Sequence, residues 1–164
     1  MASLFPWNAC GFMCCLKRSA LKGYVHQHQP DIIFLQEAFV GLPVAQRGAA
    51  PSLNDYTSYV HHFRNGLITY AHSAVQHRIL RCSTHDDTTF QLFEVAAGAG
   101  KIWLCNVYVA PGKIDTGILP PPSVHSTVYM GDFNARHPAL GDVSLTPNRN
   151  GTRLEEWLHH CWLT

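Results

Sequence analysis

Charge is scarce in this chain. Of its 164 residues 14% are Asp, Glu, Lys or Arg and 46% are apolar, where an ordinary globular domain carries about 25% charged residues. A surface so thinly charged has room for something else to cover part of it. The formal net charge of +1 excludes a general attraction to polyanions, so nucleic-acid binding would require a locally basic groove. No apolar run reaches the ~18 residues of a spanning helix, which argues against a membrane partner. The six cysteines, at 10, 14, 15, 82, 105 and 161, form no CxxC pair and no framework spacing. They read as reduced, mostly buried thiols of an intracellular protein, with the nucleus left open. Met1 to Cys15 is apolar but has no basic residue leading it and carries Asn8 at its middle, so no signal peptide is expected. Eleven histidines are present, but His26-Gln27-His28, His61-His62 and His85-Asp86-Asp87 lack the paired spacing of a structural zinc site.

The length suits one domain over residues 1–164, burying roughly 70% of its unfolded surface. Leu4 to Ala9 reads as a strand, although Pro6 removes a ladder donor. Leu16, Ala20, Leu21, Tyr24 and Val25 recur at helical spacing until Pro30, which predicts a helix from Leu16 to about His28. Asp31 to Glu37 is an apolar run closed by a carboxylate, so the chain begins as β-α-β. Gly41 to Pro51 reads as a loop. Five short strands follow at Tyr56 to His61, Gly66 to Ala71, His77 to Cys82, Thr89 to Val95 and Lys101 to Tyr108, and their spacing predicts an antiparallel meander. Gly112 to Pro122, with three successive prolines, reads as a rigid exposed connection. Val128 to Met130 is a strand expected to be covered on both faces, stopped by Gly131. Thr152 to Leu163 reads as a closing helix, capped by Thr152 and Glu155, with Leu154, Trp157, Leu158, Cys161 and Trp162 on its buried face.

Chemistry-bearing residues collect at strand ends: Asn8 after the first strand, Glu37 after the second, Tyr108 before the turn at Pro111, and Asp132 with Asn134 after the late strand. If those ends converge, they make a polar floor with two carboxylates. Two carboxylates with amides suit one hard cation such as Mg²⁺, which takes oxygen ligands and keeps waters for phosphate oxygens. Such a cation stabilises charge on a phosphoryl group while a second carboxylate deprotonates the attacking water.

Trp7-Asn8-Ala9, Leu35-Gln36-Glu37, Asn106-Val107-Tyr108 with Pro111, and Gly131-Asp132-Phe133-Asn134-Ala135 resemble, in that order, the motifs of the endonuclease/exonuclease/phosphatase superfamily. They are most similar to the apurinic-like endonuclease domain of non-LTR (LINE-type) retrotransposons. The resemblance implies an α/β fold, a four-layer α/β/β/α sandwich of the DNase I type. It implies that Glu37, with Asn8 beside it, holds Mg²⁺, with Mn²⁺ as a substitute. It further implies that Asp132 activates the water, that Asn134 holds the phosphate or the geometry of Asp132, and that Tyr108 contacts the scissile phosphate. Arg136 and His137, next to this site, face phosphate or solvent. The implied reaction is hydrolysis of a DNA phosphodiester, with a reverse transcriptase domain as a partner in the parent polyprotein. The superfamily pattern continues with further strands and a Ser-Asp-His type segment that the 164 residues do not contain. The fold is therefore expected to be incomplete at its C-terminal end, with exposed apolar surface there. A non-catalytic remnant that binds nucleic acid or a partner, and a phosphatase of the same superfamily, are the alternatives.

Overall fold

The central strands are buried on both faces, and alternate residues along them belong to different apolar clusters. The computed structural model describes residues 2–98, 100–121, 126–143 and 146–163, without the side chains of Val44, Trp162 and Leu163. The elements are β1 (Leu4–Asn8), α1 (Cys15–His28), β2 (Ile32–Gln36), β3 (Tyr56–His61), β4 (Leu67–His72), β5 (His77–His85), β6 (Thr88–Ala97), β7 (Gly100–Val109), β8 (Thr127–Asp132) and α2 (Arg149–Leu163). One sheet has the order β1-β2-β4-β3 and the other β5-β6-β7-β8. Parallel pairing joins β1 to β2 and β7 to β8, and the remaining pairs are antiparallel.

Three apolar clusters fill the spaces between four layers. Ile33, Leu35, Ile68 and Tyr70 pack towards Leu21 and Val25 of α1. Ile32, Phe34 and Ala71, on the opposite face of the same strands, meet Phe93, Val95 and Leu104 of the second sheet. Phe90, Leu92, Cys105 and Val107 turn the other way, towards Leu154, Trp157 and Leu158 of α2. The fold is thus an α/β/β/α sandwich, and the period of two along β2, β6 and β7 is what divides each strand between two cores. Full burial of each large side chain contributes about 2 kcal/mol.

One set of inter-sheet residues is polar. Gln36 continues the face of Ile32 and Phe34, and its amide donates to Asn106 Oδ1 at 2.7 Å. Asn106 in turn donates to Thr69 Oγ1 at 3.2 Å and Gln91 Oε1 at 3.3 Å, and Thr69 donates to Gln91 at 2.8 Å. All four are fully buried, and their mutual satisfaction is what makes amides tolerable there. On β7 the same face reads Leu104, Asn106, Tyr108, passing from dry core to polar floor.

Several expectations are corrected. Pro6 is accommodated because β1 is an edge strand bonded to β2 alone, where a missing donor faces outward. β8 is also an edge strand, and Val128 is 41% exposed, so it is not covered on both faces. The connection beginning at Gly112 is anchored: Ile114, Leu119 and Pro120 are buried, and the Tyr129 hydroxyl donates to the Pro120 carbonyl. Pro122 lies outside the described residues. Helix α2 starts at Arg149, ahead of Thr152. Asn148 is the capping residue, its Oδ1 accepting from Gly151 N at 2.8 Å. The thiols are free, but Cys10, Cys14, Cys15 and Cys82 are exposed and only Cys105 is buried, because the exposed four occupy the turn before α1, its N-terminal end and edge strand β5.

Candidate active site

Because β1 runs parallel to β2 and β7 parallel to β8, each pair ends together. The hydrogen bond from Asn8 Nδ2 to Asp132 Oδ2, at 2.5 Å, puts the two pairs of ends side by side. Asn8 is itself oriented by Cys10 N–H, which donates to its Oδ1 at 3.1 Å.

Glu37 leaves β2 with φ of 53°, a left-handed conformation that costs a non-glycine residue on the order of 1 kcal/mol. The surrounding backbone holds it there. Gly11 N–H donates to the Glu37 carbonyl at 2.8 Å, Ala38 N–H to Gly66 O at 3.1 Å and Phe39 N–H to Asn65 O at 2.7 Å. Asn65 then uses its side chain twice, donating from Nδ2 to Glu37 Oε1 at 3.0 Å and to the Tyr108 hydroxyl at 3.2 Å. Burial pushes the Tyr108 phenol well above its ordinary range. The neighbouring Glu37 carboxylate adds to that through a hydrogen bond and its charge, Asp132 adds a little, and Asn65 opposes it. The hydroxyl is therefore kept as a proton-bearing donor.

Gly131 sits opposite Val107 in the β7–β8 ladder. Its φ is 145°, and an added Cβ would fall 1.9 Å from the Val107 carbonyl oxygen, so only glycine lets the strand pass before it delivers Asp132. Asp132 Oδ1 accepts from Asn134 N–H at 2.9 Å. Asn134, at φ 46°, donates its amide to Val109 O at 2.9 Å. Two further asparagines fasten this loop to α2. Asn148 donates to Asn134 O at 2.8 Å and accepts from Arg136 N–H at 3.0 Å, while buried Asn150 donates to Ala110 O and Phe133 O and accepts from Ile114 N–H.

The structure therefore brings Asn8, Glu37, Tyr108, Asp132 and Asn134 to one end of the sandwich. Arg136 lines a recess of about 570 Å³ beside Asp132 and Asn134. His137 has a local task, its Nδ1 accepting from Ala139 N–H at 3.2 Å to cap a single turn of 3-10 helix. Asn65, Asn148 and Asn150 were not singled out in the sequence, where lone asparagines in turn-like stretches look ordinary. The histidine pairs disperse: His61 meets Thr84, His62 stacks on Phe39 and His85 pairs with Asp115.

Among the described residues neither Glu37 nor Asp132 has an ion-pair partner; each is met by neutral amide donors. No group of three or more His, Cys, Asp or Glu side chains is gathered as a metal site among them. Carboxylate and amide oxygen donors of this kind fit Mg²⁺, which is bound by one or two carboxylates and completes its shell with water and phosphate.

The model of the Endonuclease/Exonuclease/phosphatase family matches residues 7–164. The chain belongs to that family. Members of the endonuclease/exonuclease/phosphatase family are hydrolases, nucleases and phosphodiesterases among them, and are generally dependent on divalent metal. Among solved structures, the chain is similar to the AP endonuclease of Leishmania major, at 16% identity and a TM-score of 0.68, covering 98% of this chain and 66% of that one. It is similar also to the endonuclease domain of TRAS1, a telomere-specific non-LTR retrotransposon, at 14% identity and 0.69, covering 98% and 72%. A humanized D. rerio TDP2 follows at 14% identity and 0.55, covering 88% and 68%. At such identities the likeness is one of fold, and the chain spans about two thirds of the length of these family structures. No curated protein sequence matches significantly. No described helix is long and apolar enough to cross a membrane.

Proposed function

We propose that this end of the sandwich hydrolyses a phosphodiester of DNA with Mg²⁺, or Mn²⁺ in its place. The observation that supports this most is the convergence of Glu37 and Asp132, neither with an ion-pair partner among the described residues, on the phenol of Tyr108. Glu37, with Asn8 beside it, would hold the cation, which when bound supplies charge stabilisation at the phosphoryl group. Asp132, held by Asn8 and the Asn134 N–H, takes the proton of the attacking water. Tyr108 keeps its proton and donates a hydrogen bond to a non-bridging phosphate oxygen, where charge builds as the water adds, and the leaving oxygen takes its proton from solvent as the P–O bond breaks. Asn134 keeps Asp132 in place through its backbone and ties the loop to β7 through its amide. Arg136, on the rim of the recess, is suited to a neighbouring phosphate, and His137 offers its remaining nitrogen to the same backbone.

The likeness to the TRAS1 endonuclease domain favours a retrotransposon origin, in which a nick with a free 3′-hydroxyl primes a reverse transcriptase. The experiment is incubation with supercoiled plasmid and Mg²⁺, repeated for Glu37→Ala and Asp132→Ala. Nicking lost in both supports the assignment, and nicking that survives both overturns it. Salt-dependent DNA binding without product in Mg²⁺ or Mn²⁺ would replace it with a binding role. Phosphate release from nucleotides or inositol phosphates, with intact plasmid, would replace DNA with a small phosphorylated substrate.

A further inference from the structure

The loop of residues 62–66 between β3 and β4 carries chemistry that the proposed reaction leaves unused. Phe63 exposes 46% of its surface, whereas every other phenylalanine among the described residues is buried or half-buried. A solitary exposed apolar residue is ordinary on a protein surface. Three features set this one apart.

The first is rigidity. Gly66 N–H donates to Phe63 O at 2.9 Å, and Phe39 and Ala38 N–H groups hold Asn65 and Gly66. Arg47 donates to the carbonyls of Leu42, His62 and Arg64, and a Cβ on Gly66 would lie 2.1 Å from the Phe39 ring. These bonds fix the backbone from which the ring projects. The second is its companion. Arg64 places its guanidinium carbon 5.5 Å from the Phe63 ring centroid and is itself half-exposed, with Asp87 at 2.7 Å fixing its direction. The third is position. Asn65, two residues after Phe63, is the residue that touches both Glu37 and Tyr108.

We propose that Phe63 and Arg64 form a stacking platform for a nucleobase of the polynucleotide whose phosphate lies at Glu37 and Asp132. This rests on the DNA reading given above. An aromatic face accepts any base, and a guanidinium beside it can meet the adjoining phosphate. The platform therefore contributes affinity and sets how the strand lies across the site, while leaving base identity unread.

The test uses the whole 164-residue chain with EDTA present, so that no cleavage intervenes, and reads fluorescence anisotropy of two labelled polymers. One is a single-stranded DNA of about 12 nucleotides, and the other a polymer of equal length built from abasic sugar phosphates. Phe63→Ala is expected to weaken binding to the DNA about tenfold or more and to leave the base-free polymer unchanged, while Phe63→Trp retains the affinity. Phe63→Leu keeps an apolar side chain without an aromatic face, so its loss of affinity follows that of Phe63→Ala and carries the comparison should the alanine variant fold poorly. Equal DNA affinity for the wild type and the alanine and leucine variants overturns the platform, as does an equal loss on both polymers. Plasmid nicking that persists alongside such a result leaves the DNA reading standing. Absence of wild-type binding to either polymer also overturns the platform, and plasmid nicking in Mg²⁺ then decides the DNA reading by itself.

Discussion

Asn8 and Asp132 stand 124 residues apart in the chain and 2.5 Å apart in space, and their hydrogen bond links the terminal residues of the outer parallel strands of the two sheets. A bond to a charged group contributes about 1.5–3 kcal/mol. Its loss in Asn8→Ala is expected to slow plasmid nicking about 10- to 100-fold with the fold retained. Asn8→Asp places a second negative charge against Asp132, which raises the pKa of the pair. The pH at which nicking begins then moves upward, as a pH–rate profile will show.

Asn65 donates to both Glu37 and Tyr108. Asn65→Asp would set a carboxylate against Glu37, a repulsion that a bound cation relieves. Because a ligand stabilises the state that binds it, Mg²⁺ should raise the melting temperature of the Asp variant by more than that of the wild type. Equal shifts would argue against a cation held at Glu37.

The glycine of the β8 strand tests backbone geometry alone. With φ at 145° and a Cβ placed 1.9 Å from the Val107 carbonyl oxygen, Gly131→Ala must open the β7–β8 ladder. A loss of about 3 kcal/mol or more in urea unfolding is expected, from a single methyl group. A variant as stable as the wild type would show that the strand can move aside.

Tyr108 gives the pH dependence its sign. Its phenol is raised in the folded protein, chiefly by burial and then by Glu37, above an ordinary value of about 10. The stability tied to its proton is therefore complete below pH ~10 and is lost as the pH climbs from there through the folded-state value. Tyr108→Phe removes this contribution, so its stability should fall less steeply above pH ~10 than that of the wild type. The measurement is denaturant unfolding across the alkaline range.

How much of this could be read from the residues depended on whether a pattern or a single contact was responsible. The apolar run from Ile32 to Gln36 and the glycine at 131 announced strand ends, so Glu37 and Asp132 were visible as terminal carboxylates. Asn65, Asn148 and Asn150 were not, since an asparagine in a turn signals only the turn. The pattern Thr152 to Glu155 matched a helix start that the chain does not use, because Asn148 reaches Gly151 first. Val128 looked doubly covered because periodicity reports what a side chain prefers and not which neighbour is present. Exposure of four cysteines followed from their location in a turn, a helix start and an edge strand, which composition alone does not reveal.

The buried amides between the sheets have a consequence for folding fidelity. Gln36, Asn106, Thr69 and Gln91 answer one another only when β2, β4, β6 and β7 meet in a single alignment. Any slipped assembly strands at least one dry amide, at about 1–3 kcal/mol each, where a wholly apolar interface would have tolerated the error. Misassembled sandwiches are thus discarded at the level of the interior, and the molecules that remain all present Glu37 and Tyr108 at the same height.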